Sequence, residues 1–567
     1  MLANLPRTVD EVSEWQWDTL APFYRKLEEQ ELTSENIDDW LKAWTALQEL
    51  TGGKMSLLNL AHTQDTADMA IQAELNQLRQ TLEPPIKQAE QRLTRKFLVS
   101  GLQPAGMEVA LRQMRVQAEI FREENLDPAI EEQKLLMEYN KITGAQAVEW
   151  EGREQTLQQL RSNLQSDDRA RREASWRAGA GRQLADRAAL NTIWADLLRL
   201  RQRMAENAGE LDYRALRWKM LNRFDYTPGD CATFHAAIEE VVVPAAARVL
   251  ERRRNRLGLD SLRPWDLEVD PEGLPPLRPF RDTETLADKA QAVFSRVNPL
   301  FGDYFTTLRQ ENLLDLPNRK NKGPGAYCTQ VPVGTLRRPY VFMNAVGIGA
   351  DVVTLHHESG HAFHGFETLK LPYIQQRHTG AEFAEVASMA MELLATPYLT
   401  ESEGGYYSPE EASRAKVELL EKIILFWPYM AVVDAFQHWA YTNVEAAVDP
   451  VNCDRQWGQL WSRFMGAEDW SGLEEARVTG WHRKLHIFRY PFYYVEYGMA
   501  QLGAVQIWAN ALRDQSRAVE LYHNALKLGK TVTLPELFKT AGARFAFDSA
   551  ILREAVGLIE SQLADLT

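Results

Sequence analysis

The run His357-Glu358-Ser359-Gly360-His361 constrains this chain more than any other stretch of it. Its two histidines stand four residues apart, and an α-helix brings side chains at that spacing to one face, nearly one above the other. Val352-Val353-Thr354-Leu355 leads into the run with apolar residues, as suits a buried helix rather than a solvated one. Two imidazoles so placed can share one Zn²⁺, and a glutamate between them can lean toward a metal-bound water and take its proton. His357 and His361 are therefore candidate metal ligands and Glu358 a candidate general base. His364 shares their face two turns from the first and is read as support, while His356 points elsewhere and is read as structural.

A catalytic zinc takes three protein ligands and keeps a position for water. The third is expected from a neighbouring helix, and the segment from Gly380 to Leu394 is a strong helix former carrying Glu382, Glu385 and Glu392 among apolar residues. Buried carboxylates are costly unless paired or bound to metal. Glu385 and Glu392 are seven apart and share a face, with Glu382 one turn earlier. Periodicity alone does not choose between Glu382 and Glu385.

Composition narrows the partners. A chain of 567 residues exceeds one ordinary core, so two or more subdomains are expected. The net charge of −15 argues against nucleic acid and anionic membrane, both of which reward a basic surface. Cys231, Cys328 and Cys453 are far apart and odd in number, which is neither a disulfide framework nor a Cys-x-x-Cys zinc site. There is no apolar run of membrane-span or signal-peptide kind, so the expectation is a cytoplasmic protein. Nothing in the sequence bears on oligomeric state.

Helix signals dominate the pass along the chain: apolar stripes over 67–95, 130–140 and 184–207, all read as core. A short β signal sits at Val148-Glu149-Trp150. The charge run from Ser166 to Glu173 reads as a solvated helix face, and the Pro-rich stretch from Pro264 to Pro279 as an ordered loop. Two strands are expected before the histidine helix, one entered through Gly323-Pro324-Gly325 and one at Arg338–Asn344. Asp351 is placed to cap the helix that follows. An extended peptide can pair with the edge of such a strand, which makes Phe342 and Asn344 candidate substrate contacts.

At these motifs the chain resembles the oligoendopeptidase F and thimet oligopeptidase family of zinc metallopeptidases, the bacterial oligoendopeptidase F branch most of all. The resemblance runs through Arg338–Asn344, His356–His364 and Glu382–Glu392, and continues at Tyr490–Gln501. Upstream it takes in Phe121–Asn125, Lys141–Gly152 and Arg223–Pro228. It implies that the Glu of the Phe383-Ala384-Glu385-Val386-Ala387-Ser388 element is the third ligand, which selects Glu385; Ala387 stands where other members carry Pro. Tyr490, Tyr494 and Tyr497 are spaced by four and three, so their hydroxyls can converge on one side of a helix. Such a stripe is usually core, and the resemblance assigns it to substrate and oxyanion instead. His486 is the nearest equivalent of a substrate-contacting His, one residue closer to Tyr490 than in the thimet-like relatives.

The fold so implied is mainly α: a two-lobed helical metallopeptidase enclosing a deep substrate channel, with a small β-sheet beside the zinc helix. Residues 1–195 would form an N-terminal helical lobe and 196–567 the catalytic domain. The activity implied is endopeptidase cleavage of short unfolded oligopeptides, with one Zn²⁺ per chain on His357, His361 and Glu385. Glu358 would be the base, Tyr494 and Tyr497 the oxyanion donors, and His486 and Tyr490 substrate contacts. Glu392 would hydrogen-bond a ligand histidine. One alternative is a dipeptidyl carboxypeptidase or metallocarboxypeptidase of the same superfamily, which needs a cation such as Arg477, Arg483 or Arg489 for the terminal carboxylate. The other is a non-catalytic, zinc-stabilised peptide-binding protein, against which Glu358 argues.

Overall fold

The computed structural model of the chain describes residue 2 and residues 4–566. Helices dominate. The strands are β1 (Ala147–Trp150), β2 (Arg153–Thr156), β3 (Leu314–Pro317), β4 (Tyr327–Val333) and β5 (Leu336–Ala345). The helices that carry the argument are α1 (Pro228–Ala237), α2 (Gly349–Thr368), α3 (Ala381–Leu394), α4 (Pro409–Thr442) and α5 (Tyr494–Ala511). Among the described residues no helix is long and apolar enough to cross a membrane.

The chain forms two compact units, each assembled from three separate stretches. The first comprises Met1–Glu119, Leu277–Ser413 and Gly503–Phe545; the second comprises Ile120–Pro276, Arg414–Leu502 and Ala546–Thr567. The division expected after residue 195 falls inside the helix Arg187–Ala208 and within the second unit. Local hydrophobic patterning marks helices but not which distant segments share a core.

In the first unit an N-terminal layer of helices buries Trp40, Trp44 and Phe97, each worth about 1.5–3 kcal/mol of transfer free energy. The stripe over 67–95 is two helices, Met69–Thr81 and Glu83–Ser100. Pro84 and Pro85 sit in the first turn of the second, where an absent N–H costs no bond, and could not have continued the first. Glu90 on that helix accepts hydrogen bonds from Tyr24 Oη, Trp44 Nε1 and Gln48 Nε2.

The sheet of the first unit has the order β3-β5-β4, with β3 parallel and β4 antiparallel to β5. The register sets Tyr327 opposite Phe342 and Val333 opposite Leu336. β5 is thus the central strand, with a neighbour on each side, and this overturns the expectation that the Arg338–Asn344 strand offers its edge to a peptide. Phe342 is fully buried; its ring stacks on Tyr327 at 4.8 Å and carries the Lys322 ammonium at 4.4 Å. Asn344 Nδ2 donates to the carbonyls of Gly323 and Gly325, at 2.8 and 2.9 Å, and so ties down the turn before β4. Both residues brace the sheet. Among the described strands of this sheet the outer ones are β3 and β4.

After β5 the chain turns through Gly347, whose φ of 90° favours glycine. α2 then begins at Gly349, two residues ahead of Asp351. Asp351 therefore caps from inside the first turn. Its Oδ2 accepts from the N–H groups of Val346, Gly347 and Ile348 at 2.8, 2.8 and 3.0 Å, and the negative charge suits the positive end of the helix dipole.

The second unit has an aromatic core in which Trp194, Phe436, Trp457 and Trp481 lie within 6 Å of one another in successive contacts. Fully buried Arg201 is satisfied by Glu132 at 2.7 Å, Tyr441 Oη at 2.6 Å and the Phe488 carbonyl. The charge run at 166–173 is not wholly solvated. Asp168 caps the helix Arg169–Ala185, and Arg172 is buried, 2.9 Å from the buried carboxylate of Asp266. A charge run shows no sign of a partner supplied by a distant loop, and a buried guanidinium needs one.

Candidate metal centre and active site

α2 and α3 approach each other at Gly360. A Cβ built there would lie 2.6 Å from the Ala387 carbonyl oxygen and 2.7 Å from Ser388 Cα, so no larger residue fits without separating the helices. That approach brings Glu385 Oε2 to 3.3 Å from His357 Nε2 and 3.6 Å from His361 Nε2. One potential ligand atom from each of the three lies within 4.8 Å of the others. Glu382, buried at the start of α3, is not in this group.

Two further contacts orient the donors. His357 Nδ1 lies 2.7 Å from Glu392 Oε1, which leaves Nε2 directed at Glu385, and carboxylate partners of this kind set the tautomer of metal-binding histidines. Ser388 Oγ donates to Glu385 Oε2 at 3.1 Å. Burial alone would lower the His357 pKa, yet Glu385 and Glu392 outweigh it and hold the ring well above its ordinary value. Burial brings His361 down to about 4, so it stays neutral with a lone pair to offer. Burial would raise Glu385, but His357 and His361 hold it below the usual carboxylate range. A buried carboxylate and two partly buried imidazoles converging on one point form a donor set that fits a zinc ion.

Glu358 is buried and its Oε2 has no hydrogen-bond partner among the described residues. Burial pushes its carboxyl up to about 7; Glu385 and Glu392 add to the rise and His357 opposes it. A carboxylate poised near neutrality with one oxygen unsatisfied is equipped to exchange a proton. Of the remaining histidines on α2, His356 is buried with Nε2 3.3 Å from Tyr406 Oη and its ring edge-on to Phe294. His364 is buried beside Phe383.

The tyrosine segment is not one helix. The helix Leu485–Arg489 ends before Tyr490, α5 starts at Tyr494, and Phe492 between them has a φ of 66°. Pro491 and this left-handed residue break the run, so Tyr490 does not share a helix face with Tyr494 and Tyr497. The rings gather instead around His486, at 4.9 Å for Tyr494, 5.9 Å for Tyr497, 6.0 Å for Tyr490 and 6.2 Å for Tyr493. Sequence reasoning missed Tyr493, although its spacing of four from Tyr497 carried the signal. Burial, with help from Lys484, lowers His486 to about 4, and its buried Nδ1 has no hydrogen-bond partner among the described residues. Burial raises the Tyr494 pKa, which keeps the phenol protonated and able to donate. The Lys484 ammonium sits 3.8 Å over the Tyr494 ring. The histidine–glutamate group belongs to the first unit and the tyrosine group to the second.

The arginines offered for a terminal carboxylate are mostly engaged locally. Arg477 donates to Ser462 Oγ at 2.8 Å and Arg483 to the Ala476 carbonyl at 3.0 Å. Arg489 is exposed, with its guanidinium 5.4 Å from the Tyr490 ring.

Comparison with known proteins identifies relatives of this chain. Oligopeptidase PepF of Bacillus subtilis (strain 168) is 24% identical over 307 residues, 53% of this chain. The chain spans 43% of the length of that curated relative. A solved structure of PZ peptidase A with an inhibitor superposes with a TM-score of 0.88 at 25% identity, covering 98% of this chain and 99% of that one. Another, assigned as an oligoendopeptidase F, gives 0.87 at 25% identity and 98% of each chain. The family model of peptidase family M3 matches residues 162–557, well over half the sequence and inclusive of both groups of side chains, and the chain belongs to that family.

Proposed function

We propose that this chain is a zinc-dependent endopeptidase that hydrolyses internal bonds of short unfolded oligopeptides. One Zn²⁺ would be held by His357, His361 and Glu385. The observation that carries the reading is the unsatisfied, buried Oε2 of Glu358 beside that donor set, because a purely structural site has no need of it. A zinc ion bound there would supply Lewis acidity toward the scissile carbonyl and make water more acidic.

Glu358 takes a proton from the attacking water as its oxygen bonds to the carbonyl carbon. It then returns that proton to the leaving nitrogen as the C–N bond breaks. Glu392 holds His357 through Nδ1, and Ser388 holds Glu385. Tyr494 and Tyr497 donate to the oxyanion, and His486 and Tyr490 contact the substrate; these four roles rest on the family resemblance. The preference for short peptides rests on the same resemblance, as does a cytoplasmic site of action. A peptide-library digest read by mass spectrometry tests the reading. Internal cleavage, lost on chelation and restored by Zn²⁺, is the expected result. Release of terminal dipeptides or single residues only would replace it with the exopeptidase alternative.

A further inference from the structure

A second cluster of metal-ligating side chains lies in the second unit. Cys231 and His235 stand four apart on α1, and Asp434 and His438 four apart on α4. Cys231, Asp434 and His438 each present a potential ligand atom within 4.8 Å of the others. His235 joins them, its Nε2 2.9 Å from Asp434 Oδ2. His438 Nε2 is 3.3 Å from the same oxygen.

Burial makes the cluster costly as it stands. Cys231 and Asp434 are fully buried, and His235 nearly so. Asp434 Oδ1 and His438 Nε2 are buried without a hydrogen-bond partner among the described residues. The Asp434 oxygen so left on α4 forfeits solvation with no hydrogen bond in return, and the His438 nitrogen one turn on has only its 3.3 Å approach to the other carboxylate oxygen. A cation between them would satisfy both. Thiolate, imidazole and carboxylate together suit zinc among the common divalent ions. The aromatic rings of Phe492 and Trp218 pack against His438 at 5.1 and 5.7 Å, and such packing suits a closed site rather than one that keeps a place for substrate.

We propose that Cys231, Asp434 and His438, with His235 as the fourth donor, form a structural zinc site that clamps α1 to α4. Loading it exchanges the Cys231 thiol proton for the metal, so binding weakens as pH falls. The site is independent of the proposed catalytic centre: its ligands include a sulfur, and that centre has none.

The full chain, stripped with chelator and checked for native circular dichroism, is titrated with Co²⁺ and separately with Zn²⁺. The expected result is a thiolate-to-cobalt charge-transfer absorption in the near ultraviolet that is absent in Cys231→Ser. Metal analysis should find two zinc ions in the wild type and one in His361→Ala, where the remaining zinc shows a sulfur neighbour by X-ray absorption. Zn²⁺ should also raise the unfolding temperature of stripped His361→Ala. That variant keeps the test decisive should Cys231→Ser fail to fold. No thiolate band at saturating Co²⁺, a band that survives in folded Cys231→Ser, or a metal-free His361→Ala would each overturn the proposal. A His361→Ala protein whose zinc has only nitrogen and oxygen neighbours would do the same.

Discussion

Glu90 in the N-terminal helical layer and Glu358 on α2 belong to the same unit, and burial pushes both carboxyls up to about 7. Their surroundings differ. Glu90 receives hydrogen bonds from Tyr24, Trp44 and Gln48, at 3.0, 2.7 and 2.5 Å. Glu358 keeps Oε2 without a hydrogen-bond partner among the described residues, and the charged groups that act on it are His357, Glu385 and Glu392. A raised pKa therefore does not by itself mark a functional group. The unsatisfied oxygen and the convergent ligands do, because the fold leaves a cost there that only a substrate, water or ion can offset.

The sharpest way to break this contrast is to remove the ligands. His361→Ala and Glu385→Ala should abolish peptide hydrolysis and lower zinc content, whereas Glu382→Ala should keep most of both. Metal analysis beside a fluorogenic peptide assay checks this, and the reverse order of the two glutamates would overturn the ligand assignment. Next in size is the base. Glu358→Gln should retain zinc and unfold at nearly the wild-type temperature, while turnover falls by about two to four powers of ten. Near-normal kcat in that variant would show that another group deprotonates the water.

Smaller effects are expected from the phenols. Tyr494→Phe or Tyr497→Phe should lower kcat by about 3 kcal/mol of barrier, the usual scale for an oxyanion donor, with little change in KM. Full kcat in both variants would return the cluster around His486 to the core. Gly360→Ala should cost about 1–3 kcal/mol of stability by overpacking the contact with Ala387 and Ser388. It should weaken zinc binding as well, since the same contact brings Glu385 to the histidines; thermal unfolding with and without Zn²⁺ separates the two effects.

The smallest effect is the control at Glu90. Its folded pKa is raised above the ordinary 4.5, so its contribution is fully present below about pH 4.5 and is lost as pH rises through about 7. Relative to wild type, Glu90→Gln should gain about 1–3 kcal/mol between pH 5 and pH 8, with peptide turnover unchanged. Denaturant unfolding at the two pH values measures it. A pH-independent difference between the two proteins would mean that Glu90 is ionised throughout, and the parallel with Glu358 would fail.

The candidate site was legible where its parts are local. His357, Glu358 and His361 occupy little more than one helical turn, and helix geometry alone sets their relation. Glu385 needed the resemblance, because a helix carrying Glu382 and Glu385 presents either one until its partner is known. Tyr490 was set on one helix face with Tyr494 and Tyr497 because spacing was read through Pro491 and Phe492, where the backbone leaves the helix. Phe342 and Asn344 were misjudged because a strand looks the same in sequence at the edge of a sheet and at its centre.

The sequence by itself determined a mainly helical chain, the histidine helix with its intervening glutamate, and the carboxylate-bearing helix to face it. Those features follow from backbone periodicity and side-chain chemistry within a few turns. Tertiary structure alone decided which ligand histidine Glu392 braces, that β5 is enclosed by β3 and β4, and that Arg172 is buried on Asp266. It alone brought Cys231 and His235 to Asp434 and His438. Each of these joins residues far apart in the chain, and such pairs form only when packing makes up for the entropy of closing the loops between them.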